Sequence, residues 1–199
     1  TLGYWKIRGL GAGLRYQLRY MGTEYDLVEY EHGEGPDFSR DAWLDVKFTL
    51  GFDFPNLPYI VDGDLKLTET IAIHNYLADK YKPELLGATA EERATVNMLA
   101  GVIGGIKMAL TMPCYTNGDK DEMIAKAKTM FAPVVAKMGN NKFLAGDSPT
   151  TIDFFFYEMT NMVNACWGAS LDTEFPTLAQ YIQNMRNLPG LKEYLDDPN

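Results

Sequence analysis

The amino-acid sequence predicts an α/β domain followed by an all-α domain, and three observations carry the assignment. A glycine-marked strand–helix–strand unit opens the chain, an Asp-Gly hairpin leads into a second helix, and no comparable strand signal recurs beyond residue 88. Leu2–Trp5 is a short apolar run closed by Lys6, and the glycines of Arg8-Gly9-Leu10-Gly11-Ala12-Gly13 mark a loop. Leu14, Leu18 and Met21 then recur at helical spacing, with Gly22 placed to end the helix. Residues 25–30 set Tyr, Leu and Val among acidic residues and read as a second strand, parallel to the first because a helix joins them. Residues 31–40, centred on His32-Gly33-Glu34-Gly35-Pro36-Asp37, read as an exposed loop.

Pro55-Asn56-Leu57-Pro58 precedes the strand Tyr59-Ile60-Val61, and Asp62-Gly63-Asp64 turns it into residues 65–67 as a hairpin. Thr68-Glu69-Thr70, with two hydroxyl capping candidates, leads into a helix carrying Ile71, Ile73, Leu77 and Tyr81. Pro83 closes this first domain, residues 1–81, and 82–88 read as a linker. The second domain, residues 89–199, opens on the capping box Thr89-Ala90-Glu91-Glu92 and a helix through Val96, Leu99 and Ile103. Pro113 and Thr116-Asn117-Gly118-Asp119 punctuate, residues 123–138 are helical with a kink or re-entry at Pro133, and Gly146-Asp147-Ser148-Pro149 is a turn. Thr150 and Asp153 form another N-terminal box before Phe154 to Tyr157 enter the core, and residues 177–187 and 191–195 close the chain as short helices.

Composition excludes several function classes. With 27 acidic against 18 basic residues the net charge is −9, which repels phosphate backbones and anionic lipid. A 46% hydrophobic content supports a sizeable core and argues against disorder. Cys114 and Cys166 are too few for a disulfide framework, and no CxxC or Cys/His spacing suits a metal, so a reduced, cytoplasmic setting is expected. The longest charge-free runs, residues 94–106 and 159–171, hold 13 residues each and predict no membrane span. The glycine loop lacks the lysine of a phosphate loop, His32 and His74 have no triad partners, and Ser39, Ser148 and Ser170 lie in no nucleophile elbow.

What remains is a tyrosine and a turn. Tyr4 ends the first strand, where open α/β sheets bind ligands, and a phenol can donate one hydrogen bond to an anion; an ordinary aromatic strand residue accounts for it equally well. Asn56-Leu57-Pro58 invites a cis bond that would offer the Leu57 backbone to an extended peptide, against the commoner trans form. The helix start at Thr68-Glu69-Thr70 offers N–H groups and a hydroxyl to a carboxylate, and Glu69 to an amine. Trp43 and Lys47, four apart, suit a second carboxylate, although a solvated Lys beside a packed Trp gives the same pattern. Taken together, these features suit a small zwitterionic peptide with Tyr4 facing its middle.

At this point the chain resembles the cytosolic glutathione transferases, most closely the mu class. The resemblance is carried by Leu2-Gly3-Tyr4-Trp5-Lys6-Ile7-Arg8-Gly9-Leu10, by Trp43-Leu44-Asp45-Val46-Lys47-Phe48, by Gly51-Phe52-Asp53-Phe54-Pro55-Asn56-Leu57-Pro58-Tyr59 and by Leu67-Thr68-Glu69-Thr70-Ile71-Ala72-Ile73. Cys114-Tyr115 and Phe143-Leu144-Ala145-Gly146 extend it into the helical half. It implies a thioredoxin-like first domain, a homodimer, no metal, and conjugation of glutathione, the co-substrate, to hydrophobic electrophiles. It further implies Tyr4 as the thiolate stabiliser, with Trp5, Leu10, Arg40, Trp43, Lys47, Asn56, Leu57, Pro58, Glu69 and Thr70 around glutathione. Ile7, Leu10, Met108, Thr111 and Tyr115 would line the electrophile site, and Phe54 would be the aromatic key that enters the partner subunit.

Three departures from the family pattern stand out. Glu69-Thr70 replaces the usual glutamine–serine pair, and Gly105 stands where the mu class carries an aspartate that reaches across the dimer. The chain also ends without the mu-type C-terminal extension, so a more open electrophile site is expected. A prostaglandin-type isomerase and a non-catalytic structural relative are the alternatives the same resemblance leaves. Cys114, beside Tyr115, is expected to be packed and inert.

Overall fold

In the computed structural model, residues 1–116 and 118–196 are described, so Asn117 of the predicted punctuation and residues 197–199 of the predicted tail lie outside the described residues. The chain begins with β1 (Leu2–Trp5), α1 (Gly9–Met21) and β2 (Leu27–Tyr30), and β1 pairs with β2 in parallel. Gly22 ends α1 in the left-handed conformation and its N–H returns to the Arg19 carbonyl, as expected of a glycine C-cap. A one-turn helix α2 (Asp41–Leu44) follows, then β3 (Tyr59–Asp62), β4 (Leu65–Thr68) and α3 (Thr70–Tyr81). The sheet order is β2-β1-β3-β4, with β3 antiparallel to both of its neighbours. The predicted topology holds, and α2 is an addition to it. One helical turn is too short to show a hydrophobic period.

Two apolar clusters pack against this sheet. Leu2 and Ile60 pack with Leu14 and Leu18 of α1 and Ile73 and Leu77 of α3. Tyr4, Tyr30, Trp43, Leu57 and Tyr59 form a separate aromatic cluster. Gly3 makes room for that cluster, because a Cβ there would fall 2.1 Å from the Tyr59 ring.

One expectation at the start of α3 is corrected. No side chain caps this helix: the Thr68 hydroxyl donates instead to the Phe54 carbonyl at 2.9 Å, and Glu69 occupies the N-cap position with φ of 71°. The predicted linker is also more structured than its composition suggests, since residues Pro83–Leu86 form a 3-10 turn that buries Leu85.

Among the described residues, the regular elements of the second half are all helical: α4 (Ala90–Thr111), a 3-10 turn (Met112–Tyr115), α5 (Lys120–Met138), α6 (Thr151–Trp167), α7 (Leu171–Glu174), α8 (Pro176–Arg186) and α9 (Leu191–Asp196). Thr89 and Glu92 form the predicted capping box on α4. Asp119 caps α5, which starts earlier than expected and runs unbroken through Pro133. Asp153 of α6 accepts from the Thr150 N–H, the Thr150 hydroxyl and the Leu144 N–H.

By length and composition, residues Ala90–Tyr115 are long and apolar enough to cross a membrane, holding an 18-residue window of mean hydropathy 1.4, which the short charge-free runs did not predict. Its apolar stripe of Val96, Leu99, Ile103, Ile106 and Leu110 is nevertheless packed into the main core with Phe131, Phe156 and Tyr181.

The two halves meet along α1 and α6. Arg8, just before α1, forms an ion pair with Glu158 of α6 at 2.7 Å, and the Tyr16 hydroxyl donates to the same carboxylate oxygen at 2.8 Å. Gly13 allows the close approach, since a Cβ there would stand 3.1 Å from the Phe154 carbonyl oxygen.

Candidate functional site

Tyr4 lies at the carboxyl end of the central strand β1, where the chain turns into α1. The Leu10 N–H, in the first turn of that helix, donates to the Tyr4 hydroxyl oxygen at 2.9 Å. The turn has to be glycine for the phenol to lie there. A Cβ on Gly9, which has φ of 40°, would come 2.5 Å from the hydroxyl oxygen, and one on Gly11 would come 2.5 Å from the ring.

Burial is the main cause that pushes the Tyr4 pKa up, partly opposed by the Leu10 hydrogen bond and by the charge of Arg15, with Tyr115 adding to the rise. The phenol therefore keeps its proton at neutral pH. With one lone pair engaged by Leu10, its own O–H is left to donate.

Tyr4 opens on a cavity of about 940 Å³ lined by Trp5, Lys6, Ile7, Glu31, His32, Gly33, Phe38, Arg40 and Tyr115. Of the sequence-predicted residues, the cavity brings Tyr4, Trp5, Ile7, Arg40 and Tyr115 together. Leu10 is half-buried beside Tyr4, tied to it through its backbone. Met108 and Thr111 are not part of this wall. Met108 is exposed, and Thr111 is buried at the end of α4.

The glutathione-side candidates form a second group. Trp43 is buried by ring packing, stacked on Tyr59 with centroids 6.0 Å apart and edge-on to Tyr30 at 5.2 Å. The Tyr30 and Tyr59 hydroxyls bond to each other at 2.9 Å beneath it. Lys47 is half-buried, its ammonium 5.3 Å from the centre of the Phe48 ring.

The Leu57-Pro58 bond is cis. The Leu57 N–H, expected to be open for pairing, instead donates to the Asn56 side-chain oxygen at 2.9 Å. The Asn56 amide nitrogen in turn donates to Glu69 at 3.4 Å, so Asn56 links the residue before the cis proline to the start of α3. Glu69 is one of three non-glycine residues with positive φ among the described residues, a conformation that a side chain adopts at an energetic cost, and its carboxylate accepts from Asn56. Thr70 is buried, and Phe54, one of the most exposed large apolar side chains, is 79% exposed.

Several residues at the site were not anticipated. His32, expected as a solvated loop residue, stacks on Trp5 with ring centroids 4.2 Å apart. Lys6 and Glu31 form an ion pair at 2.5 Å along the same wall. Phe38 closes the wall from the loop, and an aromatic residue in an otherwise polar, glycine-rich segment was the available signal.

Arg15 is the largest omission. It lies on the buried face of α1 at 8% exposure, its Nη2 donates to the Ile7 carbonyl at 3.1 Å, and its Nη1 has no hydrogen-bond partner among the described residues. Also among the described residues, no group of three or more His, Cys, Asp or Glu side chains is gathered to hold a metal ion.

Comparison with known proteins gives one consistent family. Residues 1–79 match the family described as glutathione S-transferase, N-terminal domain, and residues 111–198 match glutathione S-transferase, C-terminal domain. The chain is 37% identical to the glutathione S-transferase class-mu 26 kDa isozyme 7 of Fasciola hepatica, the alignment covering 98% of this chain and 87% of that protein. It is 36% identical to glutathione S-transferase Mu 7 of Rattus norvegicus, covering 98% and 89%. The crystal structure of the glutathione S-transferase Blo t 8 superposes with a TM-score of 0.87 at 28% identity, covering 98% of this chain and 91% of that one.

Proposed function

Since this chain belongs to the glutathione S-transferase family, we propose that its transferase reaction joins the glutathione thiolate to hydrophobic electrophiles and that Tyr4 stabilises the thiolate. The observation that carries this reading is the Tyr4 hydroxyl, kept protonated by burial and already accepting from Leu10, which leaves its proton free to be donated to an incoming sulfur. A free thiol titrates near a pKa of roughly 8.5 and is mostly protonated at neutral pH. A phenol donating to sulfur favours the thiolate, and a shift of about two units corresponds to about 2.7 kcal/mol. The thiolate is the nucleophile, and holding it beside the apolar wall of Ile7 and Tyr115 supplies the orientation.

In this reading Trp5, Arg40, Trp43 and Lys47 hold the glycyl end of glutathione, and Leu10 lies beside Tyr4 at the same ligand. Leu57 pairs with the cysteinyl backbone after releasing Asn56, and Glu69 with Thr70 holds the γ-glutamyl end. Arg15 joins Tyr4 as a buried positive charge near the sulfur, which its unpartnered Nη1 supports. Residues 1–81 would bind glutathione, 82–88 would link, and 89–199 would contribute the electrophile side. The exposed Phe54 supports a homodimer, and the two free thiols suit a cytoplasmic setting.

Tyr4→Phe tests the central claim. Glutathione affinity is expected to hold, because one donor is lost at the sulfur alone, while the pKa of the bound thiol rises by about two units. The check is thiolate absorbance across a pH titration, and an unchanged midpoint would defeat the assignment.

A further inference from the structure

Cys114 and Cys166 lie far apart in the chain and side by side in the fold. Cys114 sits in the 3-10 turn Met112–Tyr115 that extends α4, and Cys166 in the last turn of α6. The Leu110 carbonyl gathers the two segments, accepting from the Trp167 indole at 2.8 Å and from the Cys114 thiol at 3.6 Å. Beyond the turn Gly118 packs on the same indole, where a Cβ would stand 3.1 Å from the Trp167 ring. Both cysteines are free and exposed, which corrects the expectation that Cys114 is packed away. Partial burial, together with the neighbouring Cys166 thiol, pushes the Cys114 thiol up to about 12.

We propose that Cys114 and Cys166 are a thiol–disulfide pair that glutathione disulfide closes, and that closure fixes the turn carrying Tyr115 and slows turnover of the electrophile. The Cys166 thiolate attacks one sulfur of glutathione disulfide, forming a mixed disulfide and expelling one glutathione thiolate. The Cys114 sulfur then attacks the Cys166 sulfur and expels the second. Two electrons pass from the cysteine pair to glutathione disulfide, and the two thiol protons leave with two molecules of glutathione. Cys114, whose thiol is engaged by the Leu110 carbonyl, is the resolving partner in this order, and the balance is the same if the two cysteines exchange roles. The consequence reaches the site through one peptide bond, since Tyr115 follows Cys114 and lines the cavity opposite Tyr4.

The whole chain, equilibrated in mixtures of glutathione and glutathione disulfide and quenched with an alkylating agent, provides the test. Under oxidising mixtures, peptide mass analysis should find Cys114 joined to Cys166 within one chain, with neither labelled. Catalytic efficiency toward a chlorodinitrobenzene electrophile should fall severalfold while the KM for glutathione holds. Cys114→Ser and Cys166→Ser should each abolish the linkage and keep the reduced-state rate under oxidation. Full labelling of both cysteines, a mixed disulfide that never resolves, or a bond between two chains overturns the pairing. Equal efficiency of the closed and open forms overturns the control of turnover. The linkage is read by mass and needs no activity, whereas its effect on rate rests on the conjugation reading; a chain that closes its disulfide but conjugates nothing would defeat that reading alone.

Discussion

Tyr4 owes its position to residues with no side chain. With an added Cβ 2.5 Å from its ring, Gly11→Ala must displace the phenol or the first turn of α1. The expected result is a chain that folds but whose bound thiol titrates higher, as in Tyr4→Phe, and conjugates more slowly. An unchanged titration would show that the ring tolerates the methyl. Glu69 poses a different question, because Gly105 has no side chain to reach a partner and nothing lies within 4 Å of its Cβ direction. On the proposed reading, Glu69 would supply in its own subunit the negative charge for the ligand ammonium. Glu69→Gln should weaken glutathione binding by about 1.5–3 kcal/mol, the scale of a charged hydrogen bond, as read by calorimetry. Tyr4 was legible because strand ends face ligands in such sheets. Arg15 was not, because an arginine within a helix reads as solvated, and only the packed fold shows it turned inward.

At the level of elements, α1 and α3 are joined by a buried polar pair. The Gln17 amide donates to the His74 carbonyl at 2.9 Å, while its oxygen meets His74 Nδ1. Burial alone lowers the His74 pKa from 6.5 to about 3. Between those two values the unfolded chain binds the proton and the folded chain does not. The stability His74 contributes is therefore complete above pH 6.5 and is lost as pH falls toward 3. His74→Gln should lower stability at pH 7 yet flatten the acid limb of a denaturation series, and an equally steep limb would exclude His74 as its source. The β1-α1-β2 and hairpin elements were readable because the Asp-Gly turn and apolar periodicity are local signals, although residues 9–13, expected as a loop, are the first turns of α1. The one-turn helices α2 and α7 were not, since they hold no full period. Nor was the failure of Thr68 and Thr70 to cap α3, because a partner for Thr68 came from Phe54, distant in sequence.

Across the whole molecule, a net charge of −9 opposes an anionic ligand, so on the proposed reading binding would rest on local donors such as Arg40, Lys47, Arg15 and the start of α3. Phe54, exposed at the rim of the first domain, is expected to be covered in a dimer. Phe54→Asp should shift sedimentation from two subunits toward one, and a sedimentation profile identical to that of the unmodified chain would remove Phe54 from the interface. The two halves were legible as separate domains, but how they join was not, because Arg8 and Glu158 have no shared motif. That joint limits how the protein can be rebuilt. A chimera taking its helical half from another source must bring a carboxylate to position 158, or Arg8 and Tyr16 lose their common acceptor. Domain shuffling in this scaffold is therefore restricted by matched contacts at the seam, this trio and the close approach of Gly13 to Phe154 among them, rather than by the linker that joins the parts.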